Sequence, residues 1–272
     1  MMVVTDVSEG LPERIAASPA LRIVRGHVWL DGAPFTGELP AFWSQIRSGA
    51  IPTTTPPTVD ELVAGFTGDD TVLAVHVSGE LSATVHHALE AARQVAVTVT
   101  VVDSRSIDVG TGLVVAAAHE AAVHGAQPHD AEAVADLARR AAARLHTFAV
   151  VNDVEWLYRS GRAGLLPSAR LSRQRPLVLA LRGRTVLLDM PKRRDDGVRQ
   201  LATHAQAVAG TFGCCWAVGH GDTPDIDRVV DRVADALGGP PARVGLLGPA
   251  AGAHLGPGAV LIGVLALDAR AL

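Results

Sequence analysis

TVLAVHVSGELSATVHHALEAARQ, residues Thr71 to Gln94, changes character twice along its length. Thr71 to Val77 is a near-continuous apolar run of the kind a strand buried on both faces needs. Ser78-Gly79-Glu80 interrupts it. Leu81 to Gln94 then carries Ala83, Ala88, Leu89, Ala91 and Ala92 among good helix formers. Strand, short polar turn and helix make half of a βαβ unit, so the turn falls at a strand's carboxyl end and a helix N-terminus. Open α/β sheets bind ligands at that point, and free N–H groups there favour an anion. Ser78, Ser82 and Thr84 surround the same turn with hydroxyl donors.

The pattern repeats outward. Met2 to Thr5 is a short apolar strand closed by Asp6. Pro12 to Ala17 opens a helix with proline in its first turn. Leu21 to Val24 and His27 to Leu30 read as strand pieces, and Leu39 to Ser48 has helical period. Ile51 to Thr58 holds three prolines and four threonines, which predicts a stiff extended loop rich in hydroxyls. Thr58 with Glu61 has the spacing of a capping box. Val95 to Val102 is a β-branched strand, ending in Asp103-Ser104-Arg105-Ser106. Gly110 to His124 and Asp130 to Leu145 read as Ala-rich amphipathic helices. Alternation of strand and helix over residues 1–145 predicts a parallel-sheet α/β/α unit of Rossmann-like type.

Residues 146–272 read as a second α/β unit with a mixed or antiparallel sheet. Phe148 to Val151 is a strand, and Val154 to Ser160 is a short helix ended by Gly161-Arg162-Ala163-Gly164. Pro176 to Leu181 and Thr185 to Leu188 form a hairpin around Arg182-Gly183. Lys192-Arg193-Arg194 is a compact basic cluster. A helix over Val198 to Gly210, a strand over Cys214 to Val218, a helix over Asp225 to Leu237 and a strand over Arg243 to Leu247 follow. Gly248 to Gly258 reads as a Gly-rich loop holding His254, before a last strand from Ala259 to Leu267.

Composition narrows the function. Of 272 residues, 48% are hydrophobic and 19% charged, enough apolar material for a sizeable core. A net charge of −4 argues against a nucleic-acid partner. No stretch approaches the roughly 18 uncharged apolar residues of a membrane span, and the N-terminus lacks a signal-peptide pattern, so stable membrane insertion is not expected and a cytoplasmic location is. The adjacent Cys214 and Cys215 read as small core residues rather than a metal framework. None of the 11 histidines has metal-ligand spacing. His76-Val77-Ser78-Gly79 lacks the first glycine of a nucleophile elbow. Gly110-Thr111-Gly112 lacks the third glycine of a dinucleotide fingerprint, and no phosphate-binding G-x-x-x-x-G-K-[ST] occurs. No cofactor is implied. Three hydroxyl- or glycine-rich segments remain as candidates: Thr53 to Thr58, Ser78 to Ser82, and Ala251 to Gly258.

Those segments, in this order, resemble the DegV family of fatty-acid-binding proteins. Val4-Thr5-Asp6 stands where the family has VTDS. Pro52 to Thr58 (PTTTPPT) is similar to PTTSQPS, His76 to Thr84 (HVSGELSAT) to HISSGLSGT, and Val101 to Ser104 (VVDS) to VIDS. Val154-Glu155-Trp156-Leu157 with Arg159 to Arg162 resembles LEYLxRGGRI, and His254 to Ala259 (HLGPGA) resembles HTGPGA. The resemblance implies a long-chain fatty acid held between two α/β domains. Its carboxylate would be bound by Thr54 or Thr55, by the Ser78-Gly79 turn and by His254, with Ser82 and Arg162 secondary. It further implies that the chain is the binding subunit of a bacterial fatty acid kinase, with no catalytic residue of its own. The ATP-binding subunit would be a separate partner, docked through Lys192 and Arg194. The chain departs from the pattern at Gly79 and Glu80, which replace a serine and a glycine, and at Pro56, which replaces a glutamine. Glu80 is expected to point to solvent. The residues alone leave two other readings open, a hydrolase with Ser78 as nucleophile and His254 as base, and a non-catalytic regulatory member of the family.

Overall fold

The apolar run that opens the organising stretch forms a strand from Thr71 to His76, and Val72 to His76 are fully buried. The computed structural model describes residues 1–125, 130–163, 166 and 176–267. Its first elements are β1 (Met2–Thr5), α1 (Glu13–Ala16), β2 (Leu21–Ile23), β3 (His27–Leu30), β4 (Ala33–Pro34), α2 (Leu39–Arg47), β5 (Pro52–Thr55), α3 (Val59–Phe66), β6 (Thr71–His76), α4 (Thr84–Ala92), β7 (Thr98–Asp103), α5 (Asp108–His124) and α6 (Ala131–Arg144). They are followed by β8 (Leu145–Val151), α7 (Glu155–Arg159), β9 (Leu177–Arg182), β10 (Arg184–Asp189), α8 (Arg194–Val208), β11 (Cys214–His220), α9 (Ile226–Leu237), β12 (Arg243–Leu246), α10 (Pro249–Leu255) and β13 (Val260–Ala266).

Among the described residues three sheets form. A four-stranded sheet, order β2-β1-β6-β7, is parallel throughout. Helices α3 and α4 cover one face through Leu62, Phe66, Ala88 and Ala91, and α5 and α6 lie on the other. A six-stranded sheet, order β10-β9-β8-β13-β11-β12, is antiparallel except for the parallel pair β11/β12. Its outer face is covered by α8 and α9 through Val198, Leu201, Val229 and Val233. A small antiparallel sheet, order β4-β3-β5, completes the set. The parallel sheet and the mixed sheet are those expected from the alternation of elements.

The structure corrects the sequence reading in several places. The Thr/Pro segment is not a loop but the edge strand β5, with Thr54 opposite Val28. Threonine suits a pleated surface, and Pro52 and Pro56 stand at its first residue and just past its end, where a missing N–H is tolerated. The Gly-rich segment after Gly248 contains the helix α10. Pro249 opens it, and Gly252 is needed because a Cβ there would meet the Trp43 ring at 2.8 Å. The helix after β6 starts at Thr84 rather than Leu81, so the Ser78 turn is not a helix N-terminus.

Nor is α5 amphipathic. Val109 to Val115 are all buried, because the helix lies between sheets and packs on β1, β6, β8, β11 and β13. Gly110 and Gly112 serve that packing. A Cβ at Gly112 would come within 2.1 Å of the Gly10 carbonyl, and one at Gly110 within 2.5 Å of Thr147 Oγ1. Two local expectations are met in detail. Thr58 and Glu61 form a reciprocal capping box, and β9 and β10 form a hairpin about Gly183, at φ +82°. Gly164, read as part of a helix stop, lies outside the described residues.

Candidate functional site

A cavity of about 750 Å³ opens at the carboxyl ends of β1 and β6, between which the strand order of the parallel sheet reverses. That is where an open α/β sheet holds ligands, and the volume lies in the range of small-molecule sites. Its apolar wall includes Trp29, Phe35, Leu81, Ile107, Leu157 and Leu181, drawn from the small sheet, the loops after β6 and β7, α7 and β9. The last wall is α10. It is held in place by α2, whose Trp43 Nε1 donates to the Leu247 carbonyl at 3.1 Å. Gly256, at φ +77°, lets the chain leave α10 against the face of Trp156, where a Cβ would meet the ring at 2.5 Å.

One end of the cavity gathers hydrogen-bond donors. Strand pleating turns Thr54 inward, and its Oγ1 lies 3.2 Å from His254 Nε2 at the last turn of α10. Burial, with a smaller contribution from the Arg162 charge, lowers the His254 pKa to about 3, so the ring is neutral. Its Nδ1 is buried without a hydrogen-bond partner. With the Nε2–H tautomer donating to Thr54 Oγ1, the threonine hydroxyl is free to donate into the cavity. Arg162 reaches the same space. Its Nε donates to the Leu81 carbonyl at 3.1 Å and its Nη1 to the Ser160 carbonyl, while Thr185 Oγ1 donates to the Arg162 carbonyl at 2.9 Å. Burial lowers the Arg162 pKa. Ser82 and Thr84, whose hydroxyls are 2.9 Å apart, and the exposed Thr55 also line the cavity.

The opposite end is acidic. Asp108 opens α5 in a left-handed conformation, φ +42°, and its Oδ2 accepts the Gly248 N–H at 2.9 Å. Its Oδ1 is buried and unpartnered. Burial raises its pKa to about 6; the Gly248 bond and the Arg243 charge oppose this, and the Glu9 charge adds to it. Glu9 also lines the cavity and accepts a bond from Ser8 Oγ, which in turn accepts from Arg25 Nε at 3.1 Å. Sequence reasoning missed Asp108, because an acid at the start of a helix is ordinary.

The Ser78 turn is built differently from the sequence expectation. Ser78 is fully buried, and its hydroxyl donates to the Gly183 carbonyl at 2.6 Å. The Gly79 N–H donates to Asp103 Oδ2 at 3.2 Å. Neither residue lines the cavity, so their donors tie the loop to the β9/β10 hairpin and β7. Ser78 and His254 are bonded to different partners and form no nucleophile–base pair. Glu80 is exposed.

Of the expected docking residues, Lys192 is exposed. Arg194 is committed internally. It pairs with Asp225 at 2.5 Å and donates to Thr223 Oγ1 and the Gly258 carbonyl, both at 3.0 Å. Asp195 and Asp196 pair with Arg228 and Arg199. Among the described residues no cluster of His, Cys, Asp or Glu is arranged to hold a metal ion, and no helix is long and apolar enough to cross a membrane.

The family model described as "Uncharacterised protein, DegV family" matches residues 1–267. The chain belongs to the DegV family. A DegV domain-containing protein of Mycobacterium tuberculosis is 31% identical over 273 residues, covering 96% of this chain and 95% of that one. Another from Streptomyces coelicolor is 30% identical over 281 residues, covering 97% and 96%. Among solved structures, a fatty-acid-binding DegV family protein of Thermus thermophilus superposes with a TM-score of 0.84 at 26% identity, covering 98% of this chain and 99% of that one. DegV from Bacillus subtilis, whose structure is that of a fatty-acid-binding protein, superposes at 0.85 and 20% identity over 98% and 99%, a likeness of fold. Against this DegV background, Thr54 and His254 are brought together from residues 200 positions apart. Arg162, Ser82 and Thr55 join them around the cavity, while Ser78 and Gly79 stand behind its wall.

Proposed function

We propose that this chain binds one long-chain fatty acid in the cavity, with its carboxylate at the Thr54–His254–Arg162 end and its alkyl chain along the apolar wall. The observation that carries the reading is the pairing of the half-buried Arg162 guanidinium and a hydroxyl–imidazole pair with an otherwise largely apolar pocket. A buried carboxylate must be hydrogen-bonded and charge-compensated. Arg162 supplies a full charge, and Thr54, Ser82 and Thr84 supply hydroxyls. Burying about 14 methylenes at ~0.8 kcal/mol each gives an upper bound of roughly 11 kcal/mol, and association entropy removes a large share of it. The remainder is ample for a ligand that survives purification. The fatty-acid-binding relative from Thermus thermophilus supports the same ligand class.

In this reading residues 1–145 and 146–272 act as two units around one ligand, and the chain presents the acid to a separate ATP-binding kinase subunit. The absence of a phosphate-binding nucleotide motif from the sequence is consistent with that division of labour. Lys192 and its neighbour Arg193, both exposed, are basic residues that would meet such a partner. Denaturing extraction of the purified protein followed by mass spectrometry tests the lipid. A stoichiometric long-chain acid is expected, and an empty protein that takes up neither oleate nor palmitate would overturn the proposal. Transfer of labelled phosphate from ATP to the bound acid, by an added ATP-binding fatty acid kinase subunit, tests the partner. No transfer to a lipid-loaded chain would remove the kinase role while leaving lipid binding intact.

A further inference from the structure

We propose that a basic groove on the far side of the Ser78–Gly183 wall is a second site, one that takes a di- or triphosphate group. The groove has a volume of about 580 Å³ and includes Val102, Asp103, Arg105, Arg139, Leu145 and Arg182. It lies at the carboxyl end of β7, one strand along from β6 on the edge where parallel sheets hold ligands. Successive residues of β9 divide the two sites. Leu181 lines the lipid cavity and Arg182 lines the groove, as side-chain alternation along a strand requires.

The groove sets arginines among carboxylates, and the backbone around it is fixed. Arg139 is paired with Glu132 and Asp136. Arg105 and Arg182 have no ion-pair partner among the described residues, in a chain whose net charge is −4. Asp103, the one acid in the lining, keeps its negative charge but turns both oxygens to backbone N–H groups, Oδ1 to Arg105 and Oδ2 to Gly79. Arg105 holds a left-handed backbone, φ +55°, a conformation costing a non-glycine residue about 1 kcal/mol. It is pinned on both sides, by its own N–H to Asp103 at 2.7 Å and by the Gly183 N–H to its carbonyl at 2.7 Å. Arg182 is steadied by the Ala143 carbonyl, 3.4 Å from its Nη2, at the last turn of α6. Two exposed guanidinium forks without ion pairs, one of them on a pinned backbone, suit the charge and bidentate geometry of phosphate oxygens.

Glu80 is a second opposing carboxylate, at the edge of the groove. A Cβ built on Gly183 would sit 3.2 Å from Glu80 Oε1 and 3.4 Å from Arg105 Nη2, so the carboxylate borders the guanidinium without forming an ion pair with it. An incoming anion displaces Glu80, which therefore weakens the site. The proposal stands on the groove's own residues and is independent of what fills the lipid cavity.

Calorimetric titration of the full chain with inorganic pyrophosphate, alongside its measured affinity for oleate, tests the site. Saturable pyrophosphate binding is expected. Arg182→Gln and Arg105→Asn, the latter chosen because asparagine tolerates the left-handed backbone, should each weaken it by about 10-fold or more, the worth of a charge-assisted hydrogen bond. Glu80→Gln should tighten it by about 2- to 5-fold, and all three should leave oleate affinity unchanged. If Arg105→Asn fails to fold, Arg182→Gln, on a regular strand, decides alone. The proposal is overturned by no saturable binding up to about 10 mM, by binding that survives the arginine substitutions, or by Arg139→Ala weakening it equally, which would mark diffuse surface charge.

Discussion

The two ends of α10 border one cavity and treat a buried titratable group in opposite ways. At its carboxyl end, burial and the Arg162 charge hold His254 near about 3, a neutral base beside a guanidinium. At its amino end, burial raises Asp108 to about 6, and Glu9, a second carboxylate, adds to the rise. Loss of water favours the uncharged form in both cases, but the neighbours differ in sign. Six residues of helix, roughly 9 Å, separate the Gly248 N–H from His254. The difference teaches how one cavity can set opposite electrostatic surroundings at its two ends, and in the proposed function it is this that would orient an acidic ligand. One end offers Arg162 and hydroxyls, while the other offers two carboxyl groups with Arg25 and Ser8 bonded beside Glu9.

The most direct way to break this comparison is to remove the cation. Arg162→Gln should lower affinity for a fatty acid by about 10- to 150-fold, the range for a hydrogen bond to a charged group. The matching fatty alcohol should be affected only a few-fold. Equal losses for acid and alcohol, measured by fluorescent-lipid displacement, would mean that Arg162 only shapes the wall.

The acidic end is probed through stability. An unfolded Asp108 releases its proton near 3.8 and the folded one near about 6, so the folded state binds more protons between those values. Its contribution is therefore most favourable below about pH 4 and is lost as pH rises through 6. Asp108→Asn keeps an acceptor for the Gly248 N–H and suits the φ of +42°. It should stabilise the protein by up to about 3 kcal/mol at pH 8, with the gain vanishing near pH 4. Denaturant melts at the two pH values measure this, and a gain independent of pH would refute the buried charge.

Smaller effects should separate wall from site. Ser78→Ala removes the partner of a buried carbonyl and should cost about 1–3 kcal/mol of stability with lipid affinity unchanged. Thr54→Val should do the reverse, weakening lipid binding about 5-fold, the worth of one neutral hydrogen bond, at little cost in stability. The smallest expected effect belongs to pH. Because His254 is already neutral, lipid affinity should show no inflection near pH 6.5, and one that disappears in His254→Ala would contradict the neutral ring.

What was legible in the sequence was what neighbours in the chain decide. The apolar run at 71–76, the Thr58/Glu61 box and the hairpin about Gly183 all carry their causes within a few residues. The parallel sheet followed from their alternation. What stayed hidden depends on distant partners. Ser78 looked like an anion-binding serine, because the carbonyl that occupies it belongs to Gly183, 105 residues away. Helix α10 looked like a loop because its small residues are set by the Trp43 and Phe42 rings against which Gly252 packs. Arg194 looked like a free docking charge until Asp225 and Gly258 folded onto it.

Helix α5 carries one last consequence. It is a keel common to the parallel and mixed sheets, touching β1 and β6 on one flank and β8, β11 and β13 on the other. Severing the chain after residue 145 would bare the second flank, including Leu113, which packs beside Gly263, to water. Such a fragment is expected to aggregate, and the whole chain to melt in a single calorimetric transition; two well-separated transitions would show that the keel couples the halves less tightly than its packing implies.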